Sequence, residues 1–383
     1  MKILFVCNEY PPTLHGGIGT YTKFLAESLV GQGHVVVVVG QEKGIKESYK
    51  ESCNGVEVHR YSFSGRGNGR IAKVVSFYQE RRNLSVLVDH VCKSFLPDIV
   101  ESHDWAGPLL RKPKFGHLVV RMHGAHTVCN RWMGVSRGRS KLLAIVEKMN
   151  LRFADSLAAV SDLVKAATLK EFGMPNKGVK VIYNGVDIDR FVEGSSSQRD
   201  QNRLLFVGRL HHHKGLDLLI NAVKIVLQTN KSVYLDIVGG GELSYVEVLR
   251  ASIPHEMIDR VNFLGRVDNA LLPDIYSGAN ICFVPSRVEA LGIVPLEAMA
   301  CGTPVFMSSL VAADEIINDN VDGFIRDPRD ENSFSGCIID VLSNQKAIDI
   351  MRKKAREKVE KRFNLEKIVS DNIKFYEECI GEE

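Results

Sequence analysis

The stretch Glu289-Ala-Leu-Gly-Ile-Val-Pro-Leu-Glu-Ala-Met-Ala-Cys-Gly302 has the pattern of a loop that runs into a helix. Pro295 suits the first helical position, where its missing N–H costs nothing, and Gly302 suits the position after the last turn. Upstream, the apolar run Ile281–Val284 predicts a buried parallel strand. Since open α/β sheets bind ligands where a strand leads through a polar loop into a helix, this stretch predicts an α/β fold with a ligand site here.

One carboxylate and three backbone amides in this stretch indicate an anionic ligand. Glu297 falls in the first turn of the predicted helix. The amides just before it belong to Leu291, Gly292 and Ile293. Because a helix N-terminus favours an anion, a diphosphate suits the amides and ribose hydroxyls suit the carboxylate. The alternative is that Glu297 only balances the helix dipole, which is common in a first turn.

Length and composition indicate a two-domain globular protein. The chain has 383 residues, of which 45% are hydrophobic and 25% charged, and no apolar run approaches the ~20 residues that span a bilayer. The N-terminal apolar run ending at Cys7 is too short for a signal peptide and predicts a first strand. The eight cysteines form no Cys-x-x-Cys pair, which favours reduced thiols in the cytoplasm over disulfides or a zinc site.

Both halves of the chain alternate short β-branched runs with longer amphipathic runs, which is typical of parallel sheets wrapped by helices. The polar segment 193–202 predicts a linker between two domains, 1–192 and 203–361. A C-terminal helix at about 362–383 is expected to pack back on the first domain. The predicted strands are Ile3–Cys7, Val35–Val39, Val56–Tyr61, Ile99–Ser102, Leu118–Met122, Ser156–Val160, Val179–Tyr183, Leu204–Val207, Val233–Val238, Val261–Leu264, Ile281–Val284 and Pro304–Met307.

Charge is unevenly distributed along the chain. Residues 1–200 hold 28 Lys and Arg against 19 Asp and Glu, a net +9, and the rest hold 21 against 27, a net −6, which together give +3. Basic and apolar residues alternate over 60–87, with further cations at 111–114 and 131–141. This pattern indicates an anionic membrane face, and the alternative is a solvated basic surface over a soluble acceptor. The residues over 60–87 are Arg60, Arg66, Arg70, Lys73, Arg81 and Arg82, with Val74, Val75, Phe77, Leu84, Val86 and Leu87.

Two further loops follow predicted strands and suit a phosphate ligand. Gly16 and Gly17 precede an amphipathic helix and let the backbone approach an anion, although the spacing is not Gly-x-Gly-x-x-Gly and a plain surface turn is the alternative. Arg209 and Lys214 share one strand-end loop and suit a diphosphate clamp, with solvated loop cations as the alternative.

The histidines and paired aspartates do not predict a metal site. Consecutive residues such as His211–His213 rarely converge on one ion. The pair Asp187-Ile-Asp189 lies in a turn pattern and is interpreted as turn and capping chemistry. His123 and His103 stand at strand ends, where a ligand role competes with a structural one.

Taken together, these segments resemble glycosyltransferase family four, retaining nucleotide-sugar transferases of GT-B fold. The match covers nearly the whole chain. Any single element is weak, but Glu-x7-Glu followed by Ala-Met-Ala-x-Gly-Thr-Pro-Val is specific in combination. Leu291 stands where the family often has Phe. The matching elements are Gly16-Gly17, His123-Gly124, Ala154-Asp155, Val160-Ser161, Asn184-Gly185-Val186-Asp187, Gly208-Arg209, Lys214-Gly215, Gly239-x-Gly241 and Glu289 with Glu297.

The resemblance implies two Rossmann-like parallel-sheet domains facing a central cleft, the first for the acceptor and the second for the nucleotide sugar. It implies that Arg209 and Lys214 neutralise the leaving diphosphate and that His123 touches the donor sugar. The remaining implied donor contacts are Glu289 and the Leu291, Gly292 and Ile293 amides on sugar and diphosphate, Glu297 on the ribose, Gly16 and Gly17 through their amides, and Val267 on the base.

The expected activity is retaining transfer of a sugar from a UDP- or GDP-sugar to a hydroxyl of a glycan or lipid-linked glycan, for cell-surface polysaccharide assembly. No cofactor, metal or nucleic acid is expected, and the expected location is cytoplasmic, peripheral on the inner face of the membrane. Three alternatives stay open: a soluble small-molecule acceptor, a GT-B sugar-nucleotide epimerase, and a non-catalytic two-lobed sugar-binding protein.

Overall fold

The chain divides into two compact units in a computed structural model that describes residues 1–12, 16–42, 44–63, 69–135, 141–175, 178–194 and 199–381. The first unit comprises Met1–Tyr183 and Ile368–Glu383, and the second comprises Asn184–Lys367. The second unit therefore begins upstream of the predicted linker 193–202, of which residues 195–198 lie outside the described ranges. The functions expected of the two domains stay predictions.

The first unit is built on an eight-stranded sheet in the order β3-β4-β2-β1-β5-β6-β7-β8. Apart from β3, neighbouring strands pair in parallel, so their carboxyl ends meet at one edge. Val36–Val39 and Ile3–Val6 are almost fully buried, as expected of central parallel strands. The strands are β1 (Lys2–Val6), β2 (Val35–Glu42), β3 (Tyr49–Cys53), β4 (Val56–Ser62), β5 (Ile99–His103), β6 (His117–Met122), β7 (Ser156–Ala159) and β8 (Val179–Val181).

Strand β3 is an antiparallel edge strand that the sequence analysis missed. It joins β4 through Asn54 and Gly55, which both have positive φ, at 50° and 83°. Asn-Gly between two strands is the typical sequence of a two-residue hairpin turn. Strand β3 is half-exposed and polar, so hydrophobic pattern alone did not reveal it.

Six α-helices lie in the described part of the first unit. The C-terminal helix is anchored by a buried polar network, in which Arg121 donates to both carboxylate oxygens of Glu101, at 2.7 and 2.8 Å, and to Asn372 at 2.6 Å. The hydroxyl of Tyr376 donates to Glu101 at 2.7 Å. This network explains why the last helix belongs to the first unit. The helices are α1 (Gly17–Gly31), α2 (Arg70–Phe95), α3 (His126–Trp132), α4 (Lys141–Phe153), α5 (Asp162–Phe172) and α13 (Leu365–Gly381).

The second unit contains a six-stranded sheet in the order β11-β10-β9-β12-β13-β14, with every neighbouring pair parallel. Its strands are β9 (Arg203–Val207), β10 (Tyr234–Val238), β11 (Val261–Gly265), β12 (Ile281–Val284), β13 (Val305–Ser308) and β14 (Gly323–Arg326). Its helices are α6 (Leu216–Thr229), α7 (Leu243–Ala251), α8 (Leu272–Ser277), α9 (Val294–Ala300), α10 (Ala313–Ile316), α11 (Glu331–Ser343) and α12 (Gln345–Arg362).

Stacked aromatic rings form part of the core of the second unit. Phe283 on β12 stacks on Phe306 of β13 with ring centres 5.3 Å apart, and Phe334 of α11 meets Phe306 edge-on at 5.4 Å. All three side chains are buried. Such packing holds β12 and β13 in place, and the loop after β12 carries Glu289.

The predicted α/β fold with two parallel-sheet domains is confirmed. Eleven of the twelve predicted strands agree with the structure to within two residues at each end, and β2 extends three residues beyond its predicted end, whereas β3 and the short edge strand β14 were missed. Pro295 is the second residue of α9, not the first. Among helices in the described ranges, none combines the length and apolar character that crossing a bilayer requires.

Candidate active site

Glycines bring three loops of the second unit close together at the carboxyl edge of its sheet. Gly239, after β10, has φ of 138°, and a Cβ built there would lie 1.8 Å from the carbonyl oxygen of Gly208, after β9. A Cβ at Gly241 would lie 2.1 Å from the carbonyl oxygen of Leu210. Larger residues would force these loops apart, so glycine is required where the backbones meet.

Lys214 and Glu289 form an ion pair that joins the loop after β9 to the loop after β12. Both side chains are mostly buried, at 24% and 17% exposed. The next residue, Gly215, has φ of 69°, and a Cβ there would lie 2.0 Å from the carbonyl oxygen of Pro285. The two loops therefore touch through both backbone and side chains.

The Glu289 loop turns sharply before helix α9. Gly292 has φ of 84°, and a Cβ there would lie 3.1 Å from Cγ of Glu289. Leu291 is buried, and Ile293 directly precedes α9 and accepts from the Glu297 amide at 2.9 Å. The predicted amide segment is thus brought beside Glu289 and Lys214.

Glu297 is buried in the first turn of α9, as predicted, and one of its oxygens accepts a hydrogen bond from the Tyr276 hydroxyl at 2.8 Å. Burial raises the pKa of Glu297, and the Tyr276 hydrogen bond and the charge of Arg190 oppose that rise. Tyr276 fixes the orientation of this carboxylate. The sequence analysis missed Tyr276, because no motif in its helix indicates that its hydroxyl contacts Glu297.

Arg209 and Val267 occupy the same sheet edge. Arg209 is exposed on the loop after β9, and Val267 is half-buried two residues after β11. The Arg266 side chain packs against Gly240, where a Cβ would lie 2.5 Å from its Nε. Arg209 and Lys214 thus lie on the same loop after β9. Of these two cations, Lys214 is the one that forms the ion pair with Glu289.

Histidines of this loop contact one another. The Nδ1 atoms of His211 and His213 are 2.6 Å apart. Burial, then the positive charge of Lys214, lowers the pKa of His213 to about 4, so this imidazole is neutral near pH 7. Within the described ranges, no group of three or more His, Cys, Asp or Glu is arranged to hold a metal ion.

The predicted Asp-x-Asp pair acts as turn chemistry. The carboxylate of Asp187 accepts from the amides of Asp189, at 3.1 Å, and Arg190, at 3.0 Å. This arrangement confirms the interpretation of the motif as a turn cap.

In the first unit, the Gly16-Gly17 segment opens helix α1. Gly16 is the N-terminal cap residue and Gly17 the first helical residue. The amide of Gly16 donates to the carboxylate of Glu9 at 2.7 Å. One of the amides predicted to meet a ligand is therefore engaged within the chain.

His123 lies directly after β6 and is oriented from both sides. Its amide donates to Oδ1 of Asp104 at 2.8 Å, and the Tyr21 ring meets its imidazole edge-on with centres 4.9 Å apart. Burial, then the charge of Arg121, lowers the pKa of His123, so the ring is neutral near pH 7. The second carboxylate oxygen of Asp104 is buried and has no hydrogen-bond partner within the described residues.

Comparison with known proteins gives two family matches that together span most of the chain. Residues 15–190 match Glycosyltransferase Family 4, and residues 187–360 match Glycosyl transferases group 1. An uncharacterized glycosyltransferase of Methanocaldococcus jannaschii is 30% identical, covering 98% of both chains. The chain belongs to glycosyltransferase family four.

Solved structures give this glycosyltransferase the GT-B fold. Sucrose-phosphate synthase from Thermosynechococcus elongatus superimposes with a TM-score of 0.85 over 100% of both chains, at 23% identity. Anabaena HepE, solved with UDP and glucose, gives 0.75 over 98% of this chain and 99% of HepE, at 20% identity. The expected enzyme class and fold are confirmed, and the roles of individual site residues stay predictions.

Asp104 generates a pH-dependent prediction for this glycosyltransferase. Burial raises its pKa from 3.8 to about 7, so the folded state binds a proton more tightly than the unfolded state. The protonated Asp104 carboxyl therefore contributes to the free energy of unfolding. This contribution is complete below about pH 4 and is lost as pH rises through about 7. Relative to Asp104→Asn, the wild type should therefore lose roughly 1–4 kcal/mol of stability between pH 4.5 and 7.5, measured by urea unfolding. Parallel stability curves for the two proteins would show that Asp104 is ionised throughout.

Proposed function

We propose that this glycosyltransferase transfers a sugar, with retention of configuration, from a UDP- or GDP-sugar to a hydroxyl of a glycan or lipid-linked glycan. The observation that carries the proposal is the Lys214–Glu289 ion pair between loops whose glycines let their backbones approach closely. HepE, a neighbour in fold, was solved with UDP and glucose, which supports a uridine donor. A GDP-sugar suits the same contacts.

Lys214 and Arg209 act on the diphosphate. The ammonium of Lys214 has three N–H donors, so it can keep Glu289 while donating to a phosphate oxygen. Arg209, exposed on the same loop, provides a second cation. Since negative charge builds on the diphosphate as the sugar departs, both cations stabilise the transition state more than the ground state.

Glu289, Glu297 and the amides hold the rest of the donor. Tyr276 occupies one oxygen of Glu297, which leaves the other for the ribose hydroxyls. Glu289 and the Leu291, Gly292 and Ile293 amides take the sugar and diphosphate, and the backbone of Val267 takes the base. This division follows from carboxylates accepting hydroxyl protons and amides donating to anions.

The first unit contributes His123, Gly16 and Gly17. Because His123 is neutral, it offers one donor and one acceptor to a sugar hydroxyl and adds no charge. Gly16 must release Glu9 before its amide meets a ligand, whereas Gly17 begins the helix beside it. The two cations of the second unit take the place of a divalent ion, so we propose that transfer is independent of metal and cofactor.

We also propose that the enzyme works peripherally on the inner membrane face, with only part of the surface expected from sequence. Arg60 is buried against Glu42, and Arg81 is buried and donates to the Ala106 carbonyl at 2.7 Å. Neither side chain is free to meet lipid. Arg66 and residues 136–140 lie outside the described ranges.

Helix α2 instead presents an exposed apolar stripe. Ile71, Val74 and Tyr78 are 82%, 52% and 57% exposed at a three-to-four-residue spacing, and Val86, 49% exposed, follows about two turns later on the same side of the helix. Lys73 and Arg82 are exposed on the same helix, whereas Leu84 is buried. An exposed apolar face flanked by cations suits an anionic bilayer.

Helix α4 carries a second stripe of the same kind. Leu142, Ile145 and Met149 are 48%, 56% and 40% exposed, with Lys141 and Arg152 exposed nearby. Both helices hydrogen-bond to the same loop residue, Ala106. Arg81 of α2 donates to the Ala106 carbonyl, and Glu147 of α4 accepts from the Ala106 amide at 3.0 Å. We define the lipid surface as the exposed stripes of α2 and α4.

The donor assignment predicts the effect of removing either cation. Arg209→Ala and Lys214→Ala should each lower turnover of UDP-glucose or GDP-mannose by about a hundredfold, because transition-state charge is left unbalanced. Initial rates of nucleoside diphosphate release measure this. Arg329→Ala, which removes an exposed arginine paired with Asp327, is the matched control and should keep the wild-type rate.

If both site variants keep near wild-type rates, these cations do not bind the diphosphate. Product analysis without acceptor distinguishes the other classes. A sugar nucleotide of altered configuration would indicate an epimerase, and binding without any turnover would indicate a sugar-binding protein.

The lipid surface predicts salt-sensitive binding to anionic vesicles. The wild type should sediment with phosphatidylglycerol vesicles at low salt and detach near 1 M salt, where the Debye length is about 3 Å. Ile71→Glu and Ile145→Glu should weaken binding because each places a carboxylate in the apolar stripe. Leu243→Glu, at an equally exposed apolar site of the second unit, is the control. Wild-type protein that stays in the supernatant would indicate a soluble acceptor.

A further inference from the structure

Arg287 connects the same two loops that the Lys214–Glu289 pair connects. Its guanidinium donates to both oxygens of Asp217, at 2.8 and 2.7 Å, and to the carbonyl of His212 at 2.8 Å. Arg287 lies two residues before Glu289, and Asp217 lies three residues after Lys214. A second ion pair therefore runs beside the first.

Backbone hydrogen bonds reinforce this connection. The amide of Arg287 donates to the carbonyl of His213 at 2.8 Å, and the amide of Val288 donates to the same oxygen at 3.3 Å. The carbonyls immediately before Lys214 are thus held by Arg287 and its neighbour. This arrangement fixes where the Lys214 side chain leaves the backbone.

The charges of Arg287 and Asp217 support one another. Burial raises the pKa of Asp217, but the hydrogen bonds and charge of Arg287 outweigh that rise, so its pKa lies below the usual range. Asp217 also lies in the first turn of α6, where the helix dipole favours a carboxylate, and it accepts from the Tyr245 hydroxyl at 3.3 Å. The pair is therefore charged near neutral pH and bidentate, the strongest form of such a contact.

We propose that Arg287 and Asp217 are positioning residues that place the Lys214 ammonium for the diphosphate while the donor binds and reacts. The proposal rests on the proposed function, in which Lys214 meets the diphosphate. When Lys214 shares its protons with phosphate, its contact with Glu289 weakens. The Arg287–Asp217 pair does not take part in that exchange, so it keeps holding the two loops together while the first pair is weakened.

The shape of the guanidinium is essential to this role. Arg287 reaches two carboxylate oxygens and one carbonyl at once through a planar fork, whereas the lysine ammonium is a single point of charge. Arg287→Lys should therefore behave more like Arg287→Ala than like wild type. Asp217→Asn keeps the shape of the side chain but removes its charge, so its kcat should lie between those of wild type and Arg287→Ala.

Steady-state kinetics in two backgrounds test the proposal, with UDP-glucose or GDP-mannose as donor, whichever turns over. Arg287→Ala should lower kcat by about tenfold or more, because small displacements of a reacting group are costly. In a Lys214→Ala background the same change should cost less than about twofold, since Arg287 acts through Lys214. Arg329→Ala should have no effect in either background, and thermal melting confirms that each variant is folded.

The outcomes separate the two proposals. An equal loss from Arg287→Ala in both backgrounds would show a role in general stability and overturn the positioning role. Wild-type kcat in Arg287→Ala, with a strong loss in Lys214→Ala, would overturn the positioning role alone. Wild-type activity in Lys214→Ala would overturn the proposed donor site, and the positioning role with it.

Discussion

The parallel pairing of β9 with β12 is the constraint on which the candidate site depends. Leu204 lies opposite Ile281, so the carboxyl ends of two strands distant in sequence lie side by side. The loops that follow carry Lys214 and Glu289, 75 residues apart, which can pair only because the strands run in the same direction. Because the two loops are adjacent, their backbones approach closely, which requires glycine at position 215. The Arg287–Asp217 ion pair then joins the same two loops.

The same principle organises the first unit, with different chemistry. There β5 and β6 are parallel neighbours, and the residues after them, Asp104 and His123, bond through carboxylate and amide. Burial lowers the pKa of His123, so its imidazole is neutral near pH 7, and raises the pKa of Asp104 to about 7. The second unit instead holds paired ions at its edge.

The fold was largely predictable from sequence because buried parallel strands are continuous apolar runs, as in Ile281–Val284. Strand β3 was missed because its residues are polar, although the Asn54-Gly55 turn was a usable signal. Glu289 and Glu297 stood out because residue type and spacing mark a strand-to-helix loop. Tyr276 and Arg287 could not be found this way, because their partners are distant in sequence. The exposed surface of segment 60–87 was predictable only in part, because sequence gives charge but not burial: Arg60 and Arg81 are buried, whereas Lys73 and Arg82 are exposed.

The most direct test of the central claim is hydrogen exchange with and without saturating UDP or GDP. The account predicts that the nucleotide protects peptides spanning 208–217 and 287–297 together, because one ligand contacts both loops. Protection confined to other parts of the second unit, or to one of the two loops, would contradict the claim that parallel strands β9 and β12 build a single donor site.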